Sequence, residues 1–228
     1  MDDLARRSSF SFSQDTLSQI ARDVLAHARS TGGSACEVEV SEGFGQTVAV
    51  RQGEVENIEY NKDKGVGVTV YLGQQRGNAS TSDFSPRALR ETVEKALSIA
   101  RFTAIDECAG LADREGLATQ FPDLDLFHPW ALSVEDAIEM AKVCEAAALG
   151  VDPRVKNSEG ASVSTQQSHF IYANSNDFLA GYPSSRQSIS CSVIASENAQ
   201  MQRDDWYSMA RSQADIEKPE EVGRRAGT

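Results

Sequence analysis

Val66, Val68, Val70 and Leu72 alternate with Gly67, Thr69 and Tyr71, and this period of two places four aliphatic side chains on one face of a strand. Gly73 to Gly77 is a polar, glycine-bounded turn, and Asn78 to Ser82 is a short return arm. Ser85-Pro86 then opens a helix, serine accepting from the first free amides and proline filling a position whose N–H has no partner. Leu89, Val93, Ala96, Leu97 and Ala100 form its buried stripe.

The same patterns extend in both directions. Upstream, Leu17, Ile20, Ala21, Val24, Leu25 and Ala28 recur at helical spacing over Gln14 to Ser30. Cys36, Val38 and Val40 mark a strand with one wet face, Thr47 to Arg51 continues after a Phe44-Gly45 break, and Val55 to Tyr60 follows a turn at Arg51 to Glu54. Downstream, periodicity vanishes between Phe102 and Pro129 and returns at Ser133, where Val134, Ala137, Ile138, Ala141, Cys144 and Ala148 predict a helix ending at Gly150. Strands follow over Arg154 to Gln166, Ser168 to Ala173, Ser188 to Ser196 and Met201 to Arg211, with another helix starting at Lys218-Pro219.

These elements predict an α+β fold of antiparallel sheets with helices packed on one face. Residues 1–13 read as a loose N-terminus, 14–102 as a first α+β unit, 103–132 as an ordered linker, and 133–228 as a second unit continuing past the chain end. Residues 14–101 and 133–228 share a helix, four strands, helix plan, which predicts an internal duplication resting on element order alone. A common strand order in the two halves is its requirement.

The chain has 228 residues, 40% of them hydrophobic, enough for a substantial core. Lys+Arg number 22 against 34 Asp+Glu, so a net charge of −12 repels nucleic-acid phosphate and anionic lipid, and no direct nucleic-acid partner is expected. MDDLARRSSFSFSQ contains no signal-peptide core and no later segment has the length of a membrane span. A cytoplasmic protein with no membrane partner is expected. Cys36, Cys108, Cys144 and Cys191 form no C-x-x-C pair and read as buried free thiols.

Candidate chemistry is sparse. Gly65-Val66-Gly67 fails as a dinucleotide fingerprint, because position 70 is Val and the run continues as a strand where a phosphate cradle needs a helix. His27, His128 and His169 sit on three separate segments without a His-Glu-x-x-His or similar pair. No Gly-x-Ser-x-Gly elbow is present, so Ser80, Ser82, Ser184 and Ser185 read as strand and turn residues. Asp123 and Asp125 read as solvated linker acids. No catalytic residue and no metal ligand is therefore assigned. Tyr60, Lys62, Asp63 and Lys64 at the mouth of the central strand, with Arg76 and Asp83 flanking its hairpin, are candidate contacts for a peptide or a partner, against the plainer reading of solvated turn charges. An exposed sheet edge is a further route to an extended peptide, added as a strand.

YNKDKGVGVTVY, then RGNASTSDFSP, RALRETVEKALSIAR and AGLAD, closely resemble the N-terminal part of the TldD/PmbA family, also called modulators of DNA gyrase. FPDLDLFHPW, the NSEG at Asn157 to Gly160 and GYPSSRQS resemble the PmbA (TldE) branch. The resemblance covers nearly the whole chain and implies the N-terminal half of a non-metal subunit in a cytoplasmic heterodimeric metalloprotease. In that arrangement zinc belongs to the partner, a TldD-like subunit bearing a His-Glu-x-x-x-His motif that nothing here matches. Small, unfolded or extended peptides are the implied substrates. The family name also invites a different expectation, a stand-alone non-enzymatic module that modulates another protein.

Overall fold

Alternation of small aliphatic and polar residues is sustained over unusually long strands, and this shapes the fold. The computed structural model describes residues 10–228. Helix α1 (Gln14–Ser30) leads into β1 (Ala35–Arg51), β2 (Glu54–Leu72), β3 (Gln75–Thr81) and α2 (Pro86–Phe102). After a linker come α3 (Val134–Leu149), β4 (Val155–Asn174), the short β5 (Phe178–Ala180), β6 (Pro183–Glu197), β7 (Gln200–Ala210) and α4 (Pro219–Ala226). The fold is α+β, as the sequence predicts, but the strands form one seven-stranded sheet, ordered β3-β2-β1-β4-β6-β7 with β5 paired to β4.

Several expected breaks are absent. Phe44-Gly45 does not interrupt β1, which pairs with β2 from Ala35↔Tyr71 to Arg51↔Glu54. The expected strands at 55–60 and 66–72 are one strand, and those at 154–166 and 168–173 are joined in β4 across irregular register at its start. Each half is thus helix, three main strands, helix, in place of the four strands expected. The halves share a strand order, mirrored about the antiparallel β1/β4 pair, so the requirement of the duplication is met.

Helices cover one face only. Val38, Val40, Val48 and Val50 of β1 lie on the same side, because residues two apart in a strand share a face. Val38 and Val40 belong to a core under α1 and α2, and Val48 and Val50 to a second core under α3 and α4. Between these cores the helical face is polar, carrying Glu42, Thr165, His169, Ser185 and Gln187, all buried.

Chain outside the helices fills that gap. Residues 1–9 of the expected loose terminus lie outside the described residues, but 10–13 are fixed: Ser11 and Phe12 donate their N–H groups to Glu42 Oε1 and Oε2 at 2.9 and 3.1 Å. From the other side, Ser185 N–H donates to the Leu126 carbonyl, and His128 N–H donates to Ser185 Oγ. Gln187 Nε2 donates to the His128 carbonyl and Gln46 Nε2 to that of Leu132. Of the cysteines, Cys36, Cys144 and Cys191 are buried as expected, whereas Cys108 is exposed in the linker.

Candidate functional site

The uncovered face of the sheet is built from the other half of each strand's alternation. β4 contributes Ser162, Ser164, Gln166 and Ser168, and β6 contributes Ser184, Arg186, Ser188 and Ser190. Facing hydroxyls bond across the strands, Ser162 to Ser190 at 2.9 Å and Ser164 to Ser188 at 2.7 Å. β1 has Gly43 and Gly45 on this face, so its backbone is the floor of a groove between β2 and β4.

That groove, a cavity of about 280 Å³, is bordered by Asn61 and Asp63 on one side and by Gln166, Ser168, Arg186 and Arg211 on the other. Arg211 Nη1 donates to the Ser185 carbonyl at 3.0 Å, and Arg186 Nη2 to Gln166 Oε1 at 3.4 Å. Opposite charges across a glycine floor suit a polar chain bearing both donors and acceptors.

Further along β4 the same face becomes aromatic. Phe170 and Tyr182 pack edge to face at 4.9 Å, Tyr172 and Phe178 at 5.9 Å, and linker Phe121 meets Phe178 at 5.8 Å. Together with Asp123, Asp125 and His128 they surround a cavity of about 1040 Å³. The lining residue Tyr172 shares an acceptor with Tyr71: Glu37 accepts from both Tyr71 Oη and Tyr172 Oη, at 2.9 and 2.7 Å. Burial and the neighbouring carboxylate push both phenols up, Tyr71 to about 12, so each stays a neutral donor at physiological pH.

The six residues singled out in the sequence do not converge. Lys62 Nζ donates to Ser11 Oγ and lies 3.9 Å from Glu42 Oε1 on the helical face. Lys64 Nζ stands over the Phe84 and Phe12 rings, at 4.9 and 5.2 Å, so both lysines hold the N-terminal segment. Asp83 Oδ1 accepts from Ser85 N–H just before α2, and this bond lowers its carboxyl pKa. Tyr60 is exposed on β2, and Arg76 faces Tyr71 from β3. Only Asp63 reaches the groove. Sequence reasoning misses the groove and the aromatic cavity. The signals available are the glycines Gly43 and Gly45 two apart in a strand and the clustered aromatics of the linker.

The three histidines are also apart, each beside one carboxylate. His27 Nε2 is 3.5 Å from Glu94, His128 Nε2 is 3.4 Å from Asp125, and His169 Nε2 is 3.4 Å from Glu42. Among the described residues no three His, Cys, Asp or Glu side chains are grouped to hold a metal ion, so this donor set does not fit zinc. Also among the described residues, no helix is long and apolar enough to cross a membrane.

Comparison with known proteins identifies the family and the fold. Residues 36–100 match the model for PmbA/TldA metallopeptidase domain 1, and residues 127–228 match the PmbA/TldA metallopeptidase central domain. The chain is 47% identical over 199 residues to Metalloprotease PmbA of Escherichia coli O157:H7, covering 87% of this chain and 44% of that protein. It is 42% identical to the Metalloprotease PmbA homolog of Haemophilus influenzae, covering 84% and 42% respectively. The chain therefore spans less than half the length of these relatives. Among solved structures, a protein designated a modulator of DNA gyrase from Bacteroides thetaiotaomicron superposes with a TM-score of 0.85 at 23% identity, over 94% of this chain and 49% of that one. TldE from Thermococcus kodakarensis gives 0.74 at 13% identity, over 91% and 46%. At these identities the structural likeness speaks for the fold.

Proposed function

The chain belongs to the PmbA/TldD metallopeptidase family, as a PmbA-type N-terminal region, and from that premise we propose that it is part of the non-metal subunit of a cytoplasmic protease complex. In this reading a TldD-like partner carries the zinc and cleaves small, unfolded or extended peptides. This chain shapes the space in which they are held.

The observation that carries the reading is the separation of its histidines among α1, the linker and β4, combined with 47% identity to a protein named as a metalloprotease. A metallopeptidase centre needs several donors converging on one ion, with an acid beside its water. Here the imidazoles stand apart: His169 pairs with Glu42, His128 Nε2 meets the Asp125 carbonyl, and His27 lies beside Glu94. The polar groove and aromatic cavity on the uncovered face supply binding groups, which suits a subunit that receives substrate and leaves bond cleavage to its partner.

The test is co-expression of the full-length protein with its nearest His-Glu-x-x-x-His relative, followed by zinc analysis and cleavage of an unfolded peptide. Zinc that follows the relative, with cleavage lost when this subunit is omitted, is the expected result. Zinc and cleavage by this protein alone would overturn the reading.

A further inference from the structure

The needs of the sheet do not account for the lining of the aromatic cavity beside β5. Its walls are Phe121, Phe170, Tyr172, Phe178 and Tyr182, and its charged side chains are Asp123 and Asp125, with no lysine or arginine among the lining residues. Phe121 is 61% exposed and Tyr182 44%, so aromatic surface is accessible to whatever enters. The Asp123 carboxylate is held in place, its Oδ1 accepting from Asp125 N–H at 2.9 Å, while the exposed Asp125 carboxylate lies 3.4 Å from His128 Nε2 on a left-handed backbone with φ of 49°.

Ring faces carry the negative end of the aromatic quadrupole and attract cations. Carboxylates at the rim act in the same direction, and the chain's net charge of −12 adds a long-range contribution. An anionic occupant would meet two carboxylates of its own sign and no lysine or arginine, whereas a cation has both rings and carboxylates to replace its water. At about 1040 Å³ the space exceeds one side chain and accommodates a residue with its neighbour.

We propose that this cavity binds a basic side chain, arginine or lysine, carried next to an apolar residue in an extended peptide. Rings take the stem and the apolar neighbour, and Asp123 and Asp125 take the charged head. The inference rests on the proposed function only in treating that peptide as substrate.

The experiment uses full-length protein without its partner, titrated calorimetrically with acetyl-Gly-Phe-Arg-Gly-amide and with the same peptide carrying Glu in place of Arg. The Arg peptide is expected to bind at least tenfold more tightly. D123N/D125N is expected to abolish that preference while preserving the turn, because an amide oxygen at position 123 still accepts the bond and asparagine tolerates a left-handed backbone at position 125. Tyr182→Ala is expected to weaken both peptides. Equal affinities, no binding by the wild type, or a preference unchanged in D123N/D125N would overturn the proposal. Cleavage by the co-purified pair is scored separately. Cleavage without the binding preference removes this inference and leaves the proposed function, and the preference without cleavage does the reverse.

Discussion

Glu42 and His169, on neighbouring strands, meet in the polar gap between the two helix pairs, Nε2 to Oε2 at 3.4 Å, with the Phe10 ring stacked 3.9 Å from the imidazole. Both side chains are almost wholly buried, and the carboxylate also accepts the Ser11 and Phe12 amides. The N-terminal segment is therefore tied down by one buried acid. Replacing Glu42 with Ala strands two amides and an imidazole, and a loss of about 3 kcal/mol of unfolding free energy is expected in urea titrations. Proteolysis ahead of Gln14 is expected to quicken in parallel.

The same pair sets a pH dependence. Burial pulls the His169 imidazole below its ordinary 6.5, with Glu42 opposing. Burial also pushes the Glu42 carboxyl up, but the Ser11 and Phe12 amides, the Ser11 hydroxyl and His169 outweigh it and hold the group below 4.5. The unfolded chain thus binds protons more readily at both sites. Stability from this pair is complete above pH 6.5 and is lost as the pH falls, first through His169 and then, below 4.5, through Glu42. Denaturation midpoints should decline from pH 7 to 5, and His169→Gln should flatten that decline.

Glu145 performs a comparable task in the second half. From α3 it accepts Gln52 N–H and Gly53 N–H at 2.9 and 2.8 Å, closing the β1–β2 hairpin, whose turn residues have φ of 52° and 75°. Glu145→Ala should cost about 2 to 3 kcal/mol, the desolvation penalty of stranded polar groups. Glu145→Gln, which keeps one acceptor oxygen, should cost less. Amide hydrogen exchange at Gln52 and Gly53 should accelerate in both, and more in the alanine variant.

Local chemistry makes some elements legible and tertiary needs hide others. Ser85-Pro86 and Ser133 mark real helix starts, with Ser85 Oγ and Ser133 Oγ accepting the Ala88 and Asp136 amides, because capping involves only neighbours in sequence. Gly45 reads as part of a break, yet it sits within β1, and a side chain there would run into the Thr165 backbone carbonyl first, then the Gln166 side chain and the Asn61 amide oxygen. That requirement comes from β2 and β4, far along the chain. The linker reads as aperiodic because its order comes from Ser185 and Gln187 of β6, whose partners no local pattern announces. The binding features of the uncovered face are hidden for the same reason, as strands remote in sequence assemble them.

Gly223 gives a packing test of the second core. It faces α3 so closely that an added Cβ would overlap the Cys144 carbonyl and lie 3.0 Å from the Ala147 Cβ. Gly223→Ala removes a flexible residue from a helix, which by propensity alone stabilises by up to about 1 kcal/mol. The rigid carbonyl cannot yield, however, so α4 must lift from Val222 outward, and overpacking of about 1 to 3 kcal/mol is expected to win. A net loss of stability in urea is the expected sign, and a gain would mean that α4 docks more loosely than its contacts indicate.

The thiols separate the exposed linker from the packed cores. Cys108 is exposed, while Cys36, Cys144 and Cys191 are buried. Burial, reinforced by Glu37, pushes the Cys36 thiol up to about 12, and contact with Cys191 together with burial also raises Cys144. Since the thiolate is the reactive form, a disulfide reagent at pH 8 should titrate one thiol rapidly in the native protein and all four in denaturant. Slow labelling of the other three should follow global unfolding, because Cys36 sits in the core under α1 and α2, and Cys144 of α3 and Cys191 of β6 sit in the second core. Destabilising Glu145→Ala should speed labelling of Cys144 and Cys191. If it leaves Cys36 unchanged, the two cores open independently, although one continuous sheet joins them.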